Sequence, residues 1–209
     1  MLDYKKVYRK ILRYNLNQRN RSKLKNTDFS LLSMNCVGGV VLHELGLRFN
    51  SPTINLRFTA KDYLKFLKNL NHYLYEVDLV YSKGESLKCG FPVGRLDDIS
   101  IYFQHYISFE EAKKKWFERV KRINLDNLYI VMVQRDGCTK NEVEEFDKLA
   151  FKHKVIFTSK EFPEFQSAFY IPNSEIGDNE VKNLCDYQTK LSGKRILDEF
   201  DWIEFFNSL

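Results

Sequence analysis

Leu128-Tyr-Ile-Val-Met-Val133 followed by Gln134-Arg-Asp-Gly137 is the stretch that decides the fold. A half-buried strand alternates apolar and polar side chains. A short run that is apolar throughout is a strand covered on both faces, as in a parallel sheet packed under helices. The polar turn after it ends in Gly137, and Thr139 with Glu142 forms a capping box that opens a helix through Leu149. Strand, turn, helix is therefore the unit to look for on either side.

Working outward, the unit recurs. Phe29 to Met34 reads as a buried strand, Asn35-Cys-Val-Gly-Gly39 as a turn, and Val40 to Leu47 as a short helix ended by Gly46. Ile54 to Phe58 is a weaker strand, and Thr59 with Asp62 caps a helix carrying Tyr63, Phe66, Leu67, Leu70 and Leu74. Asp78 to Tyr81 is a short strand, 83–88 a loop or hairpin tip, and 90–94 irregular. Ile99 to Phe103 is a strand ending in Gln104-His-Tyr106, and Ser108 with Glu111 caps a helix that buries Phe109, Ala112, Trp116 and Val120. Val155 to Phe157 runs into Thr158-Ser159, Ala168 to Ile171 is another strand, and helices are expected over 179–187 and 195–206. Strands alternating with helices of this length imply an α/β fold. It is expected as a mainly parallel, Rossmann-like sheet with helices on both faces, three layers in one domain over 1–209. The core is 27–209, preceded by a basic amphipathic helix and connector over 1–26. In that helix Tyr4, Val7, Ile11 and Tyr14 follow helical spacing over 4–17, and the Asn/Arg-rich stretch 15–26 ends it.

Composition narrows the class. The chain has 209 residues, of which 44% are hydrophobic and 29% charged, ordinary for a globular protein. No apolar run is long enough for a membrane span, and the opening residues lack a signal peptide's apolar stretch. The cysteines, Cys36, Cys89, Cys138 and Cys185, are scattered without a CxxC, which reads as reduced and cytoplasmic. The net charge of +5 is uneven: residues 1–26 carry +8 and the rest −3. No nucleic-acid partner is expected of such a body. The basic segment could instead touch an anionic membrane surface, giving a peripheral location at the inner membrane face.

Ligands in open α/β sheets bind beyond the carboxyl ends of the strands. The turns Asn35–Gly39, Gln104–Tyr106, Arg135–Gly137 and Thr158–Ser159 should therefore share one edge. Asn35, Gly38 and Gly39 fit close backbone approach to an anion at a helix start, and equally fit a tight packing turn. Cys36 is a nucleophile if a base stands beside it, and a buried thiol if not. His105 is the natural base, with Asp97, Asp98 or Asp136 to orient it. In order alone, Cys, His, acid is similar to the papain-like enzymes. Arg135 could grip an anion, and Tyr106 would line the same edge. Asp97-Asp98 could serve a metal or a sugar hydroxyl, but without Asp-x-Asp spacing. His43, His72 and His153 read as surface, helix-flank and loop residues. No His/Cys pair has zinc spacing, so no metal is expected. No cofactor can be named.

Several segments resemble the bacterial family known as domain of unknown function 1919, some of whose members carry the label exopolysaccharide biosynthesis protein. They are Ser33-Met-Asn-Cys-Val-Gly-Gly39, Leu45-Gly-Leu47, Asn50-Ser-Pro-Thr53 and Pro92 through Tyr106, then Glu111 through Asn124, Phe146 to Leu149 and Lys154 to Thr158. The resemblance spans nearly all of the chain after residue 26. Where the family often has an aromatic residue and a second His, this chain has Val37 and Tyr102, which leaves His105 alone. The resemblance implies cell-surface polysaccharide assembly. The expected activity is a transferase acting on a sugar or lipid-linked glycan. The 35–39 turn and Arg135 would hold an anionic donor, His105 would act as base, and Asp98 or Asp136 would orient it. Two alternatives stay open: a Cys36-dependent acyltransferase or hydrolase, and a non-enzymatic binding or scaffold protein of the glycan machinery.

Overall fold

The computed structural model describes residues 4–208; Met1–Asp3, the start of the basic segment, and Leu209 lie outside the described residues. In chain order the elements are α1 (Tyr4–Lys23), β1 (Ser30–Ser33), α2 (Val37–Leu45), α3 (Ala60–Lys68), a π-helical turn (His72–Glu76), β2 (Leu79–Tyr81), α4 (Lys83–Cys89), β3 (Val93–Leu96), β4 (Ile99–Tyr102) and α5 (Phe109–Val120). There follow β5 (Leu128–Val133), α6 (Lys140–Asp147), β6 (His153–Thr158), β7 (Ala168–Tyr170), β8 (Glu175–Ile176), β9 (Glu180–Val181), a 3-10 turn (Ile196–Glu199) and α7 (Trp202–Asn207).

The fold is mixed α/β around a parallel sheet ordered β1-β5-β6-β7. Its register pairs Ser33 with Val131 and Val133 with Phe157, so strand ends align at one rim. Alternate residues of the central strands point to opposite faces. Leu32, Ile130, Met132 and Ile156 pack with Tyr63 and Phe66 of α3, Trp116 of α5 and Phe146 of α6. Leu31, Val131, Val133 and Phe157 pack with Val41 and Leu42 of α2 and with Trp202 and Phe206 of α7. Both faces of β5 are thereby dry, which is the reason its sequence shows no alternation. The three caps expected from sequence are made: Thr59 accepts from the Asp62 amide, Ser108 from the Glu111 amide, and Thr139 with Glu142 closes a full capping box.

Several elements differ from expectation. The strands at 79–81 and 99–102 do not join the parallel sheet. They pair with β3 in a separate antiparallel meander, β2-β3-β4, that packs over one face of the parallel sheet. Segment 54–58 forms no strand: it makes an isolated bridge, Arg57 with Tyr102, and the Phe58 amide donates to the Met34 carbonyl at 3.0 Å, while Asn55 at φ 62° breaks the extended run. Residues 83–89 are a helix rather than a loop, closed by Gly90 at φ 75°. Segment 179–187 holds β9 and irregular chain, not a helix, and the last helix is interrupted by extended Phe200. Helix α1 runs through the Asn/Arg-rich stretch to Lys23, and its buried residue is Arg13 rather than any of the expected apolar set.

Arg13 explains that orientation. It is 7% exposed and its Nε donates to Glu44 Oε1 at 2.9 Å, while its terminal nitrogens reach Glu44 Oε2 and Asp198. Arg195 Nε donates to the same Glu44 oxygen at 2.9 Å. One carboxylate on α2 thus ties α1 to the C-terminal segment. Removing one member of a buried ionic group strands the others without solvent, at a cost of about 3–5 kcal/mol. Glu44→Ala is expected to lose about that much stability in equilibrium urea unfolding; a loss below about 1 kcal/mol, the worth of an exposed pair, would show the network to be incidental.

Candidate functional site

The site begins with how closely α2 follows β1. Ser33 ends the strand and Val37 begins the helix, leaving only Met34, Asn35 and Cys36 between them. A Cβ on Gly38 would stand 2.5 Å from Ser33 Cβ, and one on Gly39 would stand 2.8 Å from Asn55 Oδ1. The Gly38 amide donates to Ser33 Oγ at 3.1 Å and the Val37 amide to Asn35 Oδ1 at 3.1 Å. This corrects the anion-cradle expectation for Gly38 and Gly39: both are buried, their bare Cα faces serve close packing, and the Gly38 amide is already bonded. The effect is to set Cys36 at the N-cap of α2, on the rim.

His105 arrives from the antiparallel meander. The turn Phe103–Tyr106 closes with the Tyr106 amide donating to the Phe103 carbonyl at 3.0 Å, and His105 stands on its exposed corner. His105 Nε2 lies 2.9 Å from Cys36 Sγ, and Gln104 Nε2 donates to the same sulphur at 3.6 Å. Cys36 and His105 are 69 residues apart in sequence. Only the packing of the meander against the parallel sheet brings them together.

They open into a cleft of about 730 Å³ whose wall includes Asn35, Asn55, Gln104 and Asn183, with Val133 among its apolar lining. That is an ordinary size for a small-molecule site. Arg57, Arg135 and Lys182 bring three cations to it against one carboxylate, Asp136. Asp136 sits in the left-handed region at φ 54°, bonded through Oδ1 to Arg57 at 2.8 Å, while its amide donates to Glu180 Oε1 at 2.9 Å. Arg57 also lies over the Tyr102 ring, 4.3 Å from its centroid. Burial pushes the Cys36 thiol above its ordinary pKa, against the opposing pull of the Gln104 hydrogen bond and the Arg57 charge. Cys185, on the same wall, is pushed up to about 12, chiefly by burial and then by its proximity to Cys36.

The other expected residues divide. Asn35, Cys36, His105, Arg135 and Asp136 meet at the cleft. Asp98 does not: on the β3–β4 turn it pairs with Lys65 at 2.7 Å and accepts from Tyr73 at 2.6 Å, so it cannot orient His105. Its neighbour Asp97 bonds His72 at 3.2 Å. Tyr106 lies behind the wall, donating to the Ile54 carbonyl at 3.2 Å and accepting from Arg119 at 2.8 Å, a packing role. Ser159 is buried, its amide donating to Gln134 Oε1 at 3.0 Å. Asp136 spends its bonds on Arg57 rather than on His105. Among the described residues, no cluster of His, Cys, Asp or Glu could hold a metal ion.

Sequence reasoning missed Asn55, Arg57, Lys182, Asn183 and Cys185. The Asn at 55 was a usable signal, since Asn tolerates left-handed backbone. For 182–185 the expected helix hid an irregular wall segment.

A family model described as "Domain of unknown function (DUF1919)" covers residues 7–207. A Haemophilus influenzae (strain ATCC 51907 / DSM 11121 / KW20 / Rd) protein described as "Uncharacterized protein" is similar at 40% identity over 203 residues, covering 97% of this chain and 96% of its own.

Two outcomes follow from the geometry. Gly38→Ala should cost about 1–3 kcal/mol of unfolding free energy through overpacking; full stability with a damaged cleft would restore a ligand role for that glycine. A thiol pKa raised above its ordinary value leaves less thiolate at neutral pH than a free cysteine has. Iodoacetamide labelling of Cys36, followed by peptide mass, should therefore climb with pH into the alkaline range. A plateau already reached in acid would instead reveal a thiolate–imidazolium pair.

Proposed function

The chain belongs to the DUF1919 family, and from that premise we propose that it is a transferase in which Cys36, with His105 as its base, carries an acyl group from a donor to a hydroxyl acceptor. The observation that carries the reading is the 2.9 Å approach of His105 Nε2 to Cys36 Sγ at the mouth of the cleft. A thiol held protonated by burial needs a base at the moment of attack, and the imidazole is in place to be one. As Sγ adds to the donor carbonyl, Nε2 takes the S–H proton. The bond from carbonyl to leaving group then breaks, the leaving group accepts that proton, and a thioester remains on Cys36. The acceptor hydroxyl attacks the thioester and gives its proton to Nε2. Sγ departs and is reprotonated. The Gln104 carboxamide, which donates to the sulphur, would donate to the oxyanion of both tetrahedral intermediates.

The wall fits an anionic, hydroxyl-rich substrate. Carboxamides of Asn35, Asn55 and Asn183 both donate and accept, as sugar hydroxyls require, while Arg57, Arg135 and Lys182 suit a phosphate or carboxylate. A glycan of cell-surface polysaccharide assembly is the substrate class that the family resemblance implies. We also read the parallel sheet, with the cleft beyond its carboxyl ends, as Rossmann-like. A second reading rests on the upward push that burial gives the Cys36 thiol. His105 would deprotonate the acceptor hydroxyl directly, with no covalent intermediate.

An activated ester such as p-nitrophenyl acetate tests the reading. Intact mass should show one acetyl group, removed from Cys36→Ala and formed roughly 10²–10⁴-fold more slowly in His105→Ala. Acetylation at the wild-type rate in His105→Ala would remove the base. In cells, altered surface glycan in His105→Ala but not in Cys36→Ala would support the second reading, and no change in either would leave a binding or scaffold protein.

A further inference from the structure

Helix α1 has two faces, and only one of them is used by the fold. Arg13, Leu12 and Leu16 turn toward the body: Arg13 enters the Glu44 network, and Leu12 lies against Gly193 so closely that a Cβ there would come within 2.6 Å. On the opposite side stand Tyr4 at 81% exposure, Val7 at 40%, Tyr8 at 53%, Ile11 at 54% and Tyr14 at 61%. Positions 4, 7, 8, 11 and 14 recur at helical spacing, so these side chains make one continuous stripe. A stripe of this kind on a water-facing helix is a cost unless something covers it.

The charge around the stripe says what covers it. Residues 4–26 contain Lys5, Lys6, Lys10, Arg19, Lys23 and Lys25 besides Arg9, Arg13 and Arg21, which face the body, and not one acid. Tyrosine is the aromatic residue that suits a boundary, with an apolar ring and a polar tip. An apolar stripe rich in tyrosine, flanked by lysine and arginine, matches the headgroup region of an anionic bilayer. No helix among the described residues is long and apolar enough to cross a membrane. We infer that α1 lies flat on an anionic phospholipid surface, with Tyr8 and Ile11 entering the boundary layer and the basic flanks meeting the lipid charge. The helix is fixed to the body through Arg13, and Arg9 stacks over Tyr187 at 4.2 Å, two residues from the cleft-wall Cys185. Docking through α1 therefore holds the cleft in a set relation to the membrane. The inference does not depend on the chemistry proposed for Cys36.

Flotation with vesicles tests it. Vesicles of equal parts phosphatidylcholine and phosphatidylglycerol should bind the full-length protein about tenfold or more tightly than phosphatidylcholine alone. Binding should fall at about 1 M salt, where the Debye length is about 3 Å. The double variant Tyr8→Ser, Ile11→Asp should lose it, and Lys10→Glu should weaken it severalfold. Both sites are exposed, so Tm should match the wild type; should the double variant melt early, Lys10→Glu decides. Equal binding to both vesicle types, or wild-type binding by these variants, overturns the inference. So does a dimer in light scattering that the double variant dissolves, since the stripe would then belong to a second copy of the chain.

Discussion

The closeness with which α2 leaves β1 governs the rest of the molecule. A helix can begin so soon after a strand only where its first turn presses on the strand's last residue, and Gly38 against Ser33 is that contact. Any side chain at 38 would lift α2 from the sheet and carry Cys36 with it. The same contact leaves the helix start occupied: its first amides are bonded to Asn35 and Ser33. Close packing, rather than an open anion cradle, is thus what presents the sulphur at the rim.

Electrostatics at the cleft follow from partial burial. The thiol is pushed toward its neutral form, and the cation that opposes this, Arg57, is partly cancelled by Asp136. A permanently ionised thiol is not what this environment favours. It favours a neutral thiol in contact with an imidazole. Arg57 is held between Asp136 and the Tyr102 ring, so its guanidinium is positioned rather than mobile.

The wall opposite the dyad has little regular structure of its own and is held from elsewhere. Arg195 bonds the Cys185 carbonyl and also Glu44, and Glu44 in turn binds Arg13. The Val181 amide donates to the Gln134 carbonyl at 2.8 Å, fastening the start of the wall to the end of β5. Helix α1, helix α2 and the cleft wall are therefore joined through one buried carboxylate. Helix α1 sends Arg13 into the network and leaves Tyr4, Tyr8 and Tyr14 outside.

The sequence alone carried whatever is decided within a few residues. The unbroken apolar run of β5 declared a strand dry on both faces, the Ser and Thr caps declared where helices start, and the polar turns after the strands named Asn35, Cys36, His105, Arg135 and Asp136, which do share the cleft. Tertiary structure decided what depends on distant partners. A short half-buried strand such as 79–81 pairs equally well in either kind of sheet, so the meander could not be read, nor could the removal of Asp98 to Lys65 and Tyr73. Helical periodicity shows that α1 has two faces but not which one is buried, because that was settled by Glu44 and Asp198, charges far along the chain. Arg57 and Lys182 reach the cleft through irregular backbone, and local pattern has nothing to say about where such a segment comes to rest.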